Sequence, residues 1–219
     1  MDWSSIHWPE IANETKQTLI MLGLSTVFTF IIGLPIGILL YLTTRGNMLQ
    51  NRFIHVIISF VVNVLRSVPF VILMVALIPF TKLLVGTSIG VKGTIPPLVI
   101  AAAPFFARLV ETALREVDRG IIEAAQSMGA GRGQIIWRVL LPESLPGLIA
   151  GITITTVTLV SYTAMSGMIG GGGLGDLAIR YGYQRFETEV MIVTIIILLI
   201  LVQVLQMVGD RLVLRFSRK

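Results

Sequence analysis

The apolar positions fall into five long runs separated by short polar segments. Residues 17–44 carry no charge, and residues 53–81 are interrupted only by Arg66. The third run, 93–107, is shorter and holds Pro96, Pro97 and Pro104; continued as helix to Leu114 it becomes long enough to cross a bilayer. Residues 144–175 and 190–209 are again free of charge. A spanning helix needs roughly 20 mostly apolar residues. The pattern therefore predicts an all-α membrane protein with about five transmembrane helices. The prolines of the third run leave room for a broken helix there.

Five crossings put the two termini on opposite sides, and the basic residues say which is which. Arg45 and Arg52 follow the first run, Arg108, Arg115, Arg119, Arg132 and Arg138 follow the third, and Arg211, Arg215, Arg218 and Lys219 follow the fifth. Together they are eleven of the seventeen basic residues. Lys16, Lys82, Lys92, Arg180 and Arg185 fall on the other side. The positive-inside rule then predicts an external N-terminus and a cytoplasmic C-terminus. The expected division is an external segment over 1–16, a transmembrane domain over 17–209 and a basic cytoplasmic tail over 210–219. Trp3 and Trp8 suit the outer interface, and the opening MDWSSIHWPE lacks the basic start of a cleavable signal.

Composition narrows the chemistry. Of 219 residues, 54% are hydrophobic and 13% charged, against about 25% charged in a soluble domain. There is no cysteine, so no disulfide, thiolate metal site or cysteine nucleophile. Neither His7 nor His55 has a second histidine or an acid cluster beside it, which predicts no metal site; His55 reads as a packing or interfacial residue. The net charge of +5 needs nothing beyond positive-inside loops, and no nucleic-acid partner is expected. Neither H-E-x-x-H nor G-x-S-x-G is present, so no catalytic residue is expected. The glycines of 170–173 lack the GK[ST] ending of a phosphate loop and read as a tight re-entry after the fourth run. Any use of ATP must then lie on another chain.

One polar stretch does not fit a simple bundle. Residues 123–142 read EAAQSMGAGRGQIIWRVLLP. Asp118 can cap a helix running to about Met128, with Gly129 as its left-handed stop. A second short helix is predicted over 134–140, ended by Pro142, with Ser144 capping the fourth run. Three readings compete: a cap beneath the bundle, a DNA-binding helix-turn-helix, and a dock for a cytoplasmic partner. Tethering to membrane on both sides disfavours the second. Small Ala124 and Ala125 beside an apolar Ile135, Ile136, Trp137 and Val139 favour the third.

The spacing Glu123-Ala124-Ala125, three residues, Gly129, then Val139-Leu140-Leu141-Pro142 resembles the EAA motif of ABC-importer permeases, with Val139 where that pattern has isoleucine. NVLRSVPFVILM at 63–74, VGTSIG at 85–90, APFFARLVETAL at 103–114 and SYTAMSGMIGGGGLGDLAIRYGYQRF at 161–186 extend the resemblance to the methionine-uptake (MetI-type) permeases over nearly the whole chain. The resemblance implies a compact five-helix permease of the inner membrane. It would work as a homodimer with two ATPase subunits, which hold the ATP and magnesium, and an external binding protein that delivers an amino acid such as methionine. It implies that Glu123, Ala124, Ala125 and Gly129 contact the ATPase, with Leu141 and Pro142 closing the coupling element. Transport would proceed by alternating access.

Two other classes remain. A secondary transporter or channel would normally use intramembrane acids or broken helices. An intramembrane enzyme lacks any recognisable nucleophile. On the fourth run, Thr155, Thr158, Tyr162, Met165 and Ser166 follow helical steps; they either bond neighbouring backbone or line a pathway, with Met165 as a candidate gate. Arg66 is either a functional charge or a residue that bonds carbonyls freed where the helix breaks before Pro69.

Overall fold

The computed structural model describes residues 7–217, so Trp3, Arg218 and Lys219 lie outside the described residues. Pro9 sits in the first turn of α1 (Trp8–Thr43), where a missing N–H costs nothing. Residues 8–16, read from sequence as a separate segment, are therefore the opening turns of the first helix. Asn51 caps α2 (Arg52–Ser67) by accepting the N–H groups of Phe53 and Ile54, each at 3.1 Å. This helix ends because Val68 precedes Pro69 and is held extended. The chain then turns by 104° into α3 (Phe70–Ala76), followed by α4 (Ile78–Val85), which Gly86 closes at φ +80°. Next come α5 (Gly90–Arg115), α6 (Arg119–Ser127), α7 (Arg132–Ile135) and a one-turn α8 (Leu141–Glu143). The chain finishes with α9 (Leu145–Ser166), α10 (Gly173–Leu177) and α11 (Thr188–Phe216). No strand occurs among the described residues.

α5 is the axis of the bundle and the most buried of the long helices. It is one continuous helix through Pro96, Pro97 and Pro104, so the break that those prolines allow does not occur. Packing by α1, α2 and α9 on three sides outweighs the missing backbone hydrogen bonds. The tightest of these contacts is with α1. Ser25, Thr29, Gly33 and Gly37 recur every four residues on one face of α1, and all are buried. A Cβ on Gly37 would stand 2.5 Å from the Ala107 carbonyl and from Val110 Cβ; one on Gly33 would stand 2.9 Å from the Ala103 carbonyl. Small residues let the two backbones approach closely, which is the main source of helix association in lipid. Ser25 and Thr29 hydroxyls are buried without a hydrogen-bond partner, so size accounts for them.

The register rises in the same direction on both helices, so α1 and α5 are parallel. The chain between them must then cross back, and α2 to α4 together make that broken crossing. α9 runs antiparallel to α5, with Gly147 against Ala113 and Gly151 against Leu109. α11 packs along α9, with Gly209 on Thr153. The result is five crossings.

Two ends follow. At one, the Gly90 N–H donates to the Gly170 carbonyl (2.8 Å) and the Gly173 N–H to Glu14 Oε2 (2.7 Å), joining the starts of α1, α5 and α10. At the other, Tyr41, Leu42, Leu114, Val117, Ala125, Ile135 and Leu140 form a common core. α11 runs from the first end to the second. Arg45, Arg52, the arginines of 115–138, Arg211 and Arg215 collect at the second, basic end, as the sequence predicts.

Candidate functional site

Residues 118–143 form a bracket at the basic end. Asp118 Oδ1 accepts the Gly120 N–H at 2.7 Å and caps α6. The helix stops at Gly129, whose φ of +79° is open to glycine at little cost, and the Ala130 N–H returns to the Ala125 carbonyl at 3.1 Å. Gln134 Oε1 then accepts the Gly131 N–H at 2.9 Å and starts α7.

Beyond Ile135 the helix widens into a π-turn over Ile136–Leu140, with the Leu141 N–H bonded to the Ile136 carbonyl. The predicted stop at Pro142 does not occur: the backbone stays helical through it. A proline ring collides with the carbonyl four residues back in a regular α-helix, and the wider turn moves that carbonyl aside. Ser144 consequently does not cap α9. It sits in helical conformation, and its hydroxyl donates back to the Leu141 carbonyl at 3.3 Å.

The bracket divides the residues predicted to dock. Ala125 is buried against the bundle's own core and Leu141 packs at its edge. Glu123, Ala124, Gly129 and Pro142 are exposed. Met128 and Trp137, 82% and 71% exposed, flank the glycine turn. Sequence reasoning placed Trp137 on the docking face but gave Met128 no role, although one bulky apolar residue on each side of Gly-Ala-Gly is the signal. Arg119, Glu123 and Gln126 face Gly46, Asn47 and Met48 across a cleft of about 290 Å³.

A second feature escaped the sequence reading. Glu111 is buried, with Oε2 at 2.6 Å from Arg108 Nη1 and Oε1 at 2.5 Å from Arg115 Nη2. Arg108 also bonds Ser59 Oγ and, at 3.0 Å, Asn63 Oδ1, tying α5 to α2 directly above the bracket. R-x-x-E-x-x-x-R in an apolar helix was the available sign.

The five pathway candidates do not share a face. Thr155 and Ser166 are fully buried, and their hydroxyls bond the Gly151 and Thr163 carbonyls of their own helix at 2.8 and 2.7 Å. Thr158 likewise bonds the Ile154 carbonyl at 2.9 Å. Tyr162 stacks on Phe70, centroids 4.4 Å apart. Met165 is exposed, in a stripe with Ile154, Ser161 and Met168, with Thr158 partly exposed among them. Arg66 does lie at the break before Pro69, but it bonds no carbonyl among the described residues; its guanidinium lies 5.8 Å from the Phe105 ring centroid. His55 Nδ1 is 3.2 Å from the Leu40 carbonyl and 3.4 Å from Thr43 Oγ1, a packing role.

At the opposite end, Gly170, Gly172 and Gly173 all have positive φ. Two of the N–H groups that such a turn would offer an anion are taken by α1: Glu14 accepts from Gly173 and Thr18 from Leu174 at 2.8 Å. The turn is a lock on α1. Beside it the Tyr181 hydroxyl donates to Glu10 Oε2 at 2.9 Å, and this bond holds the phenol above its usual pKa.

Residues 33–219 match the family described as the binding-protein-dependent transport system inner membrane component. The chain belongs to that family. Its relatives include the probable D-methionine transport system permease protein MetI of Vibrio cholerae, 50% identical over 99% of this chain and 96% of that one. The methionine import system permease protein MetP of Bacillus subtilis is 51% identical over 92% of this chain and 90% of its own. A chain of the inward-facing MetNI methionine ABC transporter superposes with a TM-score of 0.96 at 46% identity, covering both chains completely. An amino acid ABC transporter shares the fold at 18% identity, with a TM-score of 0.81. This inner membrane component thus has the architecture expected of its family. The match begins at Gly33, inside α1, so α2 to α11 and the whole bracket fall within it.

Proposed function

We propose that this chain is the permease subunit of an ATP-driven methionine importer of the inner membrane. Two copies would form the pathway, and an ATPase subunit would dock on each bracket from the cytoplasm. An external binding protein would deliver the amino acid. The observation that carries the coupling role is the exposed face of α6 and its turn. Glu123, Ala124, Met128 and Trp137 present a carboxylate and two bulky apolar side chains at the basic end. Ala125, Ile135 and Leu140 meanwhile root the same element in the bundle core. An element that is exposed on one side and rooted on the other can pass a push inward. Methionine as cargo is supported by relatives named for its transport, with identities near one half.

The mechanism is a shift between conformations. ATP and magnesium are held by the partner ATPase, and no residue of this chain breaks a bond. Closure of the ATPases moves the brackets, and the copies turn against each other to open outward. Hydrolysis restores the inward-open state. Nucleotide acts only through its differential affinity for these states.

The test is detergent co-purification of the tagged chain beside Glu123→Lys, with methionine uptake measured for both. A P-loop ATPase should accompany the wild type and be lost or weakened in the variant. Uptake should fall on the order of tenfold, corresponding to ~1.4 kcal/mol of lost docking energy. Absence of any ATPase in several mild detergents, with uptake intact, would point instead to transport that is not coupled to ATP.

A further inference from the structure

The break in the second crossing leaves charge where lipid would not tolerate it. Arg66 lies fourteen residues along α2 from the basic end, about 21 Å at 1.5 Å per residue. It is exposed, as are Asn63 and Ser67 on the same face of α2. Ser67 Oγ donates to the Asn63 carbonyl, and Asn63 Oδ1 accepts from Arg108 of α5, so the strip continues across two helices. Lipid tails offer no partner to a guanidinium, an amide or a hydroxyl, and charged side chains at this depth face protein or water.

The two arginines differ in what they have left to give. Arg108 is neutralised by Glu111 and further bonded to Ser59 and Asn63. Arg66 faces no carboxylate among the described residues, and its guanidinium lies 5.8 Å from the Phe105 ring centroid. We propose that this strip lines a water-filled cavity between two copies of the chain, in which Arg66 binds the carboxylate of the transported amino acid. A planar guanidinium matches a carboxylate through two parallel hydrogen bonds. The inference rests on the importer reading for its cargo; the cavity itself rests on the exposed polar strip alone.

The chain has no cysteine, so Ser67→Cys introduces its sole thiol. In the assembled complex in inside-out vesicles, that thiol should react with membrane-impermeant methanethiosulfonates. The anionic reagent should react faster than the cationic one by on the order of tenfold. Adding Arg66→Gln should bring the two rates together, and Arg66→Lys should keep them apart. Methionine should slow the reaction, whereas methionine methyl ester, lacking the free carboxylate, should not. A thiol inert to both reagents, while Ser217→Cys just past α11 at the basic end reacts, would overturn the cavity. Equal rates for both reagents, or equal protection by methionine and its ester, would overturn the role of Arg66. Uptake by the wild-type complex is measured alongside: no methionine uptake refutes the importer reading, whereas uptake with an inert Ser67→Cys refutes only this inference.

Discussion

At the scale of single residues, the fold depends most on the absence of side chains. Gly33 and Gly37 set the distance between α1 and α5, and the carbonyls of Ala103 and Ala107 fill the space where a Cβ would go. Gly37→Val should therefore destabilise the protein by about 1–3 kcal/mol, the usual penalty for overpacking, seen as a lower melting temperature in detergent. Gly23 lies on the same helix with nothing within 4 Å of its would-be Cβ, so Gly23→Ala should leave the melting temperature level or raise it slightly. Equal effects at both positions would mean that helix propensity, not the seam, governs stability. Glu111 makes the opposite point. Its carboxylate holds two guanidinium groups while buried, and Glu111→Ala strips both of their partner. That loss should cost about 3–5 kcal/mol, read as poor recovery of folded protein, with Glu111→Asp recovering part of it.

At the scale of elements, the sequence shows where helices lie more faithfully than how they bend. The apolar runs mark every crossing, and Asp118, Gly129 and Pro69 mark ends that the structure keeps. Proline is what misleads. The same residue type breaks the second crossing at Pro69, passes unnoticed at Pro96 and Pro104, and widens a turn before Pro142. Local sterics permit all three outcomes, and the packing partners choose among them: α5 is held on three sides, whereas the turn at Val68 carries Phe70, Leu73 and Met74 into the core, with Val68 packed against them. The docking and pathway residues fail in a related way. A spacing of three or four names residues near one face, but the split between Ala124 and Ala125, or between Thr155 and Thr158, depends on which side the core lies. The π-turn is a testable consequence. Pro142→Ala restores an N–H and removes the ring, so the turn over Ile136–Leu140 should tighten to α-helix and rotate the bracket by about 100°, one residue's worth of helix. The variant should stay folded with an unchanged melting temperature while ATPase co-purification and uptake both fall. Full uptake in Pro142→Ala would show that the wide turn does not aim the bracket.

At the scale of the whole molecule, parallel packing of α1 and α5 is the decisive relation. Two parallel helices with 44–89 between them require a return crossing, and only the bent α2 to α4 can supply it. That makes five crossings, of which four among the described residues are unbroken helices long and apolar enough to span. It also places the bracket and the glycine lock at opposite ends. The charge distribution adds the sides: the bracket end carries the arginine excess and should face the cytoplasm. The absence of cysteine makes this directly measurable. Ser127 is exposed on α6 and Gln184 is exposed between α10 and α11. In sealed cells, Gln184→Cys should react with an impermeant maleimide and Ser127→Cys should not; in inside-out vesicles the pattern should reverse. If both thiols react from one side, residues 128–183 do not cross once, and α9 cannot be the antiparallel partner of α5. If the pattern is reversed in both preparations, the bundle stands but is inverted, and a cytoplasmic ATPase could not reach Glu123. The expected result leaves the bracket as a helical element at the cytoplasmic end that is both exposed and built into the core, which is what a device for transmitting force across the bilayer requires.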